Sequence, residues 1–274
     1  MSLFAIDETK CKKDGICADE CPVRIIIPPD KTRFPSEVDN AQELCIRCGH
    51  CVSVCPHGAL SLNSMKPEEC IKVDKKLLPS AAQVEIFLKN RRSIRTYKDK
   101  PVGREALAKL IDIARYAPSG HNSQPVEWMV IYDRNDVRTY ASMVIDWMKA
   151  MLREYPSIVA EFNMDRIVSA WEQGVDRICR NAPHVIIVHG PTQNSMTKDS
   201  CTIAMTYLEL ASFSLKLGAC WAGYFTAAAS SWPPMNKALG FPEGNNAFGS
   251  MMVGYPRYTY HRIPLRNDPK VIWK

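Results

Sequence analysis

The chain has 274 residues, a net charge of +6, 46% hydrophobic residues and 11 cysteines. That length exceeds a usual single domain, while the modest charge, with no interleaved aromatic stripe or nucleic-acid motif beside it, argues against a nucleic-acid partner. No apolar run approaches the ~18 residues of a membrane span, and Met1 to Lys10 lacks a basic leader with an apolar stretch, so a cytoplasmic protein with no membrane partner is expected.

The first quarter is rich in cysteine. Cys11, Cys17 and Cys21-Pro22 are followed by Cys45-Ile-Arg-Cys48-Gly-His-Cys51-Val-Ser-Val-Cys55-Pro56. In the second run a tight loop, helped by Gly49, turns successive sulfurs inward, and Pro56 turns the chain away. Structural zinc sites use paired C-x-x-C or C/H elements, and this run offers more sulfurs than a tetrahedral zinc needs. Disulfides belong to oxidising compartments, whereas clustered C-x-x-C spacing suits a reducing one. Cys70, Cys179, Cys201 and Cys220 lie outside the runs and read as buried thiols.

The spacing C-x-x-C-x-x-C-x-x-x-C-P resembles that of bacterial ferredoxins, which hold two cubane iron-sulfur clusters and whose fourth cysteine crosses to the other cluster. The resemblance implies that Cys45, Cys48 and Cys51 join Cys21 on one cluster, and that Cys11, Cys17 and Cys55 hold the other. Aligning the two runs puts Asp14 where the second run has Cys48. Either its carboxylate ligates iron in a 4Fe-4S cluster, or Asp14 is a turn residue beside Gly15 and the cluster is a 3Fe-4S form or is ligated by another group.

Between the runs, Ile25-Ile26-Ile27 reads as a short strand ended by Pro28-Pro29. Lys75 to Ser80 reads as a linker between an iron-sulfur domain, residues 1–75, and a second domain, residues 80–274. Helices are expected over Ala81 to Asn90 and Arg104 to Ala117, the latter with Leu107, Leu110, Ile111 and Ala114 on one face and stopped by Pro118-Ser119-Gly120. Strands are expected over Trp128 to Tyr132, His184 to Val188, Ala219 to Phe225 and Phe248 to Val253, with a long apolar helix over Ser200 to Leu217. The fold class is α+β with a mixed central sheet. No G-x-G-x-x-G loop follows a strand, which argues against a Rossmann nicotinamide site. Basic residues concentrate between Lys89 and Lys109, most densely in Arg91-Arg92-Ser93-Ile94-Arg95, a segment suited to a phosphate or an acidic partner.

Arg91 to Tyr97, Pro101-Val102 and Ala117-Pro118-Ser119-Gly120-His121-Asn122-Ser123-Gln124-Pro125 closely resemble the FMN-dependent nitroreductase family. Leu217 to Phe225 looks like that family's segment beside the flavin ring, and Val253-Gly254-Tyr255-Pro256 through Arg262 to Leu265 like its C-terminal closure. The whole chain resembles the nitroreductases of anaerobic bacteria with a fused ferredoxin domain. The resemblance implies an FMN-binding oxidoreductase acting as a homodimer. Arg91, Arg92 and Arg95 with the Ser93 hydroxyl would cradle the FMN phosphate, since arginine binds phosphate in bidentate fashion, and Arg262 would be a distal phosphate ligand. Asn122 and the backbone of Gly223 and Tyr224 would meet the ring edge, Pro118, Ser119 and Asn122 would reach flavin across the dimer, and His121 and Tyr224 would contact substrate. The family has Trp directly after Gln-Pro, but here Val126 follows Pro125 and the Trp comes at 128. Electrons would pass from a donor such as reduced ferredoxin through the clusters to FMN and on to a small electron-poor acceptor, a nitroaromatic, or else a quinone, enone or halogenated aromatic. The remaining alternative is a relay to a protein partner.

Overall fold

A computed structural model of the protein describes residues 2–155 and 162–274. The chain divides into two units, Met1–Pro79 with His121–Ser123, and Ser80–Gly120 with Gln124–Lys274.

In the first unit β1 (Phe4–Ile6) pairs antiparallel with β4 (Leu60–Leu62), and β2 (Ile26–Ile27) with β3 (Ser36–Glu37). Between them lie three single-turn helices, α1 (Ile16–Asp19), α2 (Ala41–Leu44) and α3 (His50–Val54). The strand expected at Ile25–Ile27 stops before Pro28-Pro29, whose nitrogens have no hydrogen to donate to a ladder. Elements this short are not stable alone. Their core is small, chiefly Leu3, Phe4, Ile25, Ile26, Val52 and Leu60, and it abuts the cysteines themselves. A unit of this size needs a further staple such as disulfides or a metal centre. Ile71, Val73, Leu77 and Leu78 in the connecting segment are exposed.

The second unit is built on a four-stranded sheet of β5 (Glu127–Ile131), β6 (His184–Pro191), β7 (Gly218–Trp221) and β8 (Asn245–Gly254), in the order β5-β6-β8-β7. Every neighbouring pair is antiparallel, where a mixed sheet was expected. The reason is that β8 returns between β6 and β7, so β6 and β7, which run the same way, are kept apart, as β6 keeps apart the like-directed β5 and β8. Successive residues of a strand face opposite sides, and here both sides are covered. Val185, Ile187 and Met252 join one core, Ile186, Val188 and Met251 the other. The register agrees, pairing Val185 with Met252 and Ile186 with Met251.

One face carries α5 (Arg104–Ala114) and α8 (Thr197–Ser214), the other α6 (Arg134–Glu154), α7 (Met164–Glu172), α9 (Gly223–Ser231) and α10 (Pro233–Leu239). Preceding them all, α4 (Ala81–Lys89) opens with a capping box in which Ser80 and Gln83 satisfy each other's backbone N–H. The long α6 starts where Asp133 Oδ1 accepts the Asn135 N–H at 2.7 Å, and buries Val137, Ala141, Val144, Ile145 and Met148 at helical spacing. The strand expected over Ala219 to Phe225 ends at Trp221 and becomes helix at Gly223. The alanines at 227 to 229 favour helix, and Phe225, Ala228 and Ala229 form its buried face. The long helix expected at Ser200 begins three residues earlier, at Thr197. Cys179, Cys201 and Cys220 are buried as expected, while Cys70 is only half-buried. His184 ties β6 to the entry of α5, with Nε2 accepting the Val102 N–H at 2.8 Å and Nδ1 facing the Tyr132 carbonyl at 2.7 Å. Among the described residues no helix is long and apolar enough to cross a membrane.

At Gly190 an added β-carbon would stand 2.5 Å from the Pro125 carbonyl oxygen and 2.8 Å from Thr197 Cγ2. Backbone cannot yield as a side-chain tip can. Gly190→Ala is therefore expected to cost about 1–3 kcal/mol, the usual range for overpacking, read as a fall of roughly 2–10 °C in the apparent melting temperature. An unchanged melting temperature would show that the 125 segment moves aside freely.

Candidate functional site

The two cysteine runs fold alike. Lys13 and Arg47, each two residues past the first cysteine of its run, have φ of 55° and 51°. Gly15 and Gly49, at φ of 78° and 75°, each precede a short helix, α1 and α3. In that register Asp14 stands where Cys48 stands.

The last cysteine of each run crosses to the other group. Cys21 lines one cavity with Cys45, Cys48 and Cys51, whereas Cys55 lines a second with Cys11, Cys17 and Asp14. Asp14 Oδ1 accepts the Ile16 N–H at 3.3 Å, a turn role that occupies one carboxylate oxygen and leaves the other free to serve as a donor. His57 also borders this second cavity.

These donors fit iron-sulfur clusters. Iron takes thiolate, not thiol, yet burial pushes the Cys51 thiol up to about 11, and the neighbouring Cys21, Cys48 and Cys45 add to the rise. Burial likewise raises Cys17, with Cys55 and Asp14 contributing. Packing these groups together as thiolates therefore calls for a cationic centre among them. Among the described residues no three such donors converge closely enough for a single metal ion; spread around a cavity, they suit a cluster in which each iron takes its own ligand. Backbone N–H groups are directed at the sulfurs, Arg47 to Cys45 Sγ at 3.4 Å and Ala59 to Cys55 Sγ at 3.3 Å, and such bonds tune cluster potential.

In the second unit the basic segment runs beside β7, where the Ile94 N–H donates to the Ala219 carbonyl at 2.9 Å. Arg91 and Arg92 line a cleft of about 320 Å³ with Ser212, Lys216 and Tyr260. Arg95 instead lines a cleft of about 570 Å³ with Trp147, Trp221, Gly223 and Tyr224. The expected single cradle is thus divided. Arg91 and Arg95, four residues apart, stand at different clefts rather than around one.

Arg91 Nη1 also pairs with Glu209 Oε1 of α8 at 2.8 Å, with side-chain exposures of 30% and 7%. Ser93 lies next to Cys220, whose thiol is raised by burial and partly lowered again by Arg95 and Arg180. Tyr224 Oη donates to the Phe162 carbonyl at 3.0 Å. The C-terminal segment brings Tyr258 and Tyr260 to the Arg91 cleft, the Arg92 guanidinium lying 5.8 Å from the Tyr260 ring centre, but Arg262 is not among the lining residues.

The loop from Pro118 to Pro125 lines neither cleft. Ser119 Oγ accepts the Gln124 N–H at 3.0 Å. His121–Ser123 group with the first unit, where Asn122 Nδ2 donates to the carbonyls of Ile46 and Arg47 at 3.2 and 3.1 Å. His121, Asn122 and Gln124 are all left-handed, with φ of 51°, 52° and 45°, a conformation that non-glycine residues keep only where surroundings hold it. Trp128 sits in β5 opposite Val188 and packs into the core, so it does not replace a Trp after Pro125. Lys216, Trp147, Arg177 and Arg180 line the clefts without having been singled out in the sequence. The one local signal was Asp176, whose placement before Arg177 and Arg180 marks an Asx-type turn.

Residues 88–255 match the nitroreductase family, and residues 9–60 match the 4Fe-4S dicluster domain. A Methanothermobacter thermautotrophicus protein bearing the name NADH dehydrogenase/NAD(P)H nitroreductase is 26% identical over 175 residues, 62% of this chain and 75% of that protein. The crystal structure of a nitroreductase with bound FMN from Desulfitobacterium hafniense DCB-2 is 27% identical, with a TM-score of 0.53 over 66% of this chain and 92% of that one. A nitroreductase with bound FMN from Bacteroides fragilis NCTC 9343, 19% identical with a TM-score of 0.57 over 70% of this chain and 99% of that one, shares the fold. The chain belongs to the nitroreductase family and carries a 4Fe-4S dicluster domain ahead of it.

Proposed function

We propose that the chain is an FMN-dependent oxidoreductase that takes electrons from a donor such as reduced ferredoxin at its N-terminal clusters and delivers them to a small electron-poor acceptor, a nitroaromatic or a molecule of like chemistry. The observation that carries this reading is the coexistence in one chain of two four-donor cavities and a cleft edge lined with arginine in a nitroreductase fold. When bound, the clusters supply one-electron transfer and the flavin supplies delivery of electron pairs.

The chain's own residues bind and orient. Cys21, Cys45, Cys48 and Cys51 hold one cluster, and Cys11, Cys17 and Cys55, with Asp14 as fourth donor, hold the other. Arg91 and Arg92, helped by Lys216, neutralise the FMN phosphate, while Arg95, Ser93 and the backbone of Gly223 and Tyr224 border the ring. Among the described residues no side chain lining the larger cleft stands out as a catalytic acid. The working form is a homodimer. Support for it comes from apolar side chains left exposed on α4 and α8, among them Ile86, Ile203, Tyr207 and Phe213, and from exposed Leu265, Ile272 and Trp273 near the C-terminus. In that dimer Pro118, Ser119 and Asn122 are candidates to reach the partner's flavin.

Cluster content tests the ligand sets. Cys48→Ser is expected to remove one cluster and keep the other, lowering iron and inorganic sulfide by about half; loss of both, or of neither, would dissolve the pairing. Asp14→Cys should stabilise the Cys11, Cys17, Cys55 cluster, and an unchanged spectrum and iron count would put Asp14 outside the ligand set.

Two arginine variants separate flavin binding from folding. Arg95→Ala should weaken FMN binding about 10- to 100-fold, the loss of a charge-assisted hydrogen bond, with little change in melting temperature. Arg91→Ala should lose flavin and also about 3 kcal/mol of stability, because it leaves buried Glu209 without its partner. Full flavin occupancy in Arg95→Ala would remove that residue from the site.

The direction of electron flow is tested in the full chain carrying Cys11→Ser with Cys48→Ser. Reduction of nitrobenzene driven by reduced ferredoxin should nearly vanish, while a small donor that reduces flavin directly should still support it. Full ferredoxin-driven turnover in this variant would mean that electrons enter elsewhere.

A further inference from the structure

The larger cleft has a charge pattern that phosphate binding does not explain. Trp147, Met151, Trp221 and Tyr224 give it apolar and aromatic walls, yet Arg95, Arg177 and Arg180 stand along it. The same three arginines line the adjoining groove with Lys98 and Arg257, and although Asp99 there pairs with Arg134 and Asp176 is spent on backbone, cations outnumber carboxylates along it. Among the described residues none of the three forms an ion pair.

The turn that carries two of them is built to stay in place. Asp176 is 7% exposed, yet it pairs with no cation among the described residues. Its Oδ1 accepts the N–H groups of Ile178 and Cys179, and its Oδ2 that of Asn181, all at 2.9 Å. A buried carboxylate spent on three backbone donors fixes the whole stretch from 176 to 181. Within it Arg180 and Asn181 are consecutively left-handed, at φ of 55° and 54°. A β-carbon disfavours that conformation, and Arg gains nothing locally from it, unlike Asn. Ile178 and Cys179, at 3% and 0% exposure, anchor the turn in the core between the two arginines. Arg177 and Arg180 are therefore presented to the cleft on a rigid mount.

We infer that Arg177 and Arg180 select the acceptor, and that this site takes a planar, electron-poor molecule bearing a carboxylate, its ring against the apolar wall and its carboxylate on the two guanidiniums. The inference rests on the flavoenzyme reading and names its substrate class. Guanidinium matches carboxylate in planar, bidentate fashion, and a mostly apolar cleft with a few convergent charged groups is the usual form of a small-molecule site. The other source of an oxyanion is the FMN phosphate. Against it, Arg91, Arg92 and Lys216 already provide for a phosphate in the separate cleft.

The test uses the flavin-loaded full chain with reduced methyl viologen as donor. KM values are compared for 4-nitrobenzoate and nitrobenzene, and binding of benzoate, which is not reduced, is read from the flavin absorbance. The wild type should prefer 4-nitrobenzoate. In Arg177→Gln and Arg180→Gln the ratio of the two KM values, carboxylate over neutral, should rise about 10-fold or more, and benzoate should bind weaker by a like factor. Arg180→Lys, which keeps the charge but not the fork, should retain part of the preference, and flavin content should hold in all variants. Equal KM values in the wild type, or a ratio unmoved in both Gln variants, would overturn the assignment. Loss of flavin from both Gln variants would also overturn it, by giving these arginines to the FMN phosphate. A wild-type protein that binds no flavin would overturn the underlying reading and this inference with it.

Discussion

The return of β8 between β6 and β7 is the constraint on which the flavin-type unit depends. It places Gly218–Trp221 at the edge of the sheet, where unpaired backbone groups must find partners. The Arg91–Arg95 segment supplies one, through the Ile94 N–H to the Ala219 carbonyl. That bond anchors the segment beside β7, and the cleft linings give its direction, with Arg91 and Arg92 near Gly218 and Ala219 and Arg95 near Cys220 and Trp221 at the strand's end. Beyond that end the chain turns into α9 at Gly223, closing the larger cleft. Cores on both faces of the sheet hold this edge rigid, since Val185 and Ile186 are both fully buried on opposite sides.

The first unit is held by different physics. Its strands are two or three residues long and its helices a single turn, so its shape comes from loops that must bring sulfurs together. Those loops pass through left-handed conformations at Lys13, Gly15, Arg47 and Gly49. Two of these are lysine and arginine, which take that geometry at a cost. Burial also opposes ionisation of Cys17 and Cys51. Both strain and desolvation are offset once iron binds, and by linkage whatever binds only the folded unit stabilises it.

Much of this was legible in the sequence because it is local. Cysteine spacing records the path of a loop only a few residues long, which is how each run could be recognised; the crossing of Cys21 and Cys55 to the other run is not local and came only from the resemblance to ferredoxins, and the residues lining the two cavities follow the same division. The helix at Arg104 could be read from its buried face, Leu107, Leu110 and Ala114. The chain beyond Trp221 was harder, because Tyr224 and Phe225 favour strand while the alanines after them favour helix, and tertiary packing of Phe225 settled it. Sheet order was not legible at all, since nothing near β8 records which strands it will separate. The same holds for the clefts. Arg91 and Arg95 stand in one motif but face different cavities, and Lys216 and Arg180 reach those cavities from segments far away in the chain.

Charge links the two units through chemistry alone. Thiolate-ligated clusters and a flavin phosphate all bring negative charge, and the chain meets them with a formal charge of +6 concentrated in a few places. How each cation is used differs. Arg91 is committed to Glu209, so its position is fixed before any ligand arrives and its charge is partly neutralised. Arg177 and Arg180 are fixed instead by backbone, through a carboxylate that spends its hydrogen bonds on N–H groups and not on the guanidiniums. Asp176 thus preorganises the turn without accepting a hydrogen bond from either arginine. A guanidinium carried on such a turn keeps its hydrogen-bonding capacity for a ligand, and the backbone that bears it has been placed during folding rather than at the moment of binding, which lowers the ordering cost that remains to the side chain's own rotamers.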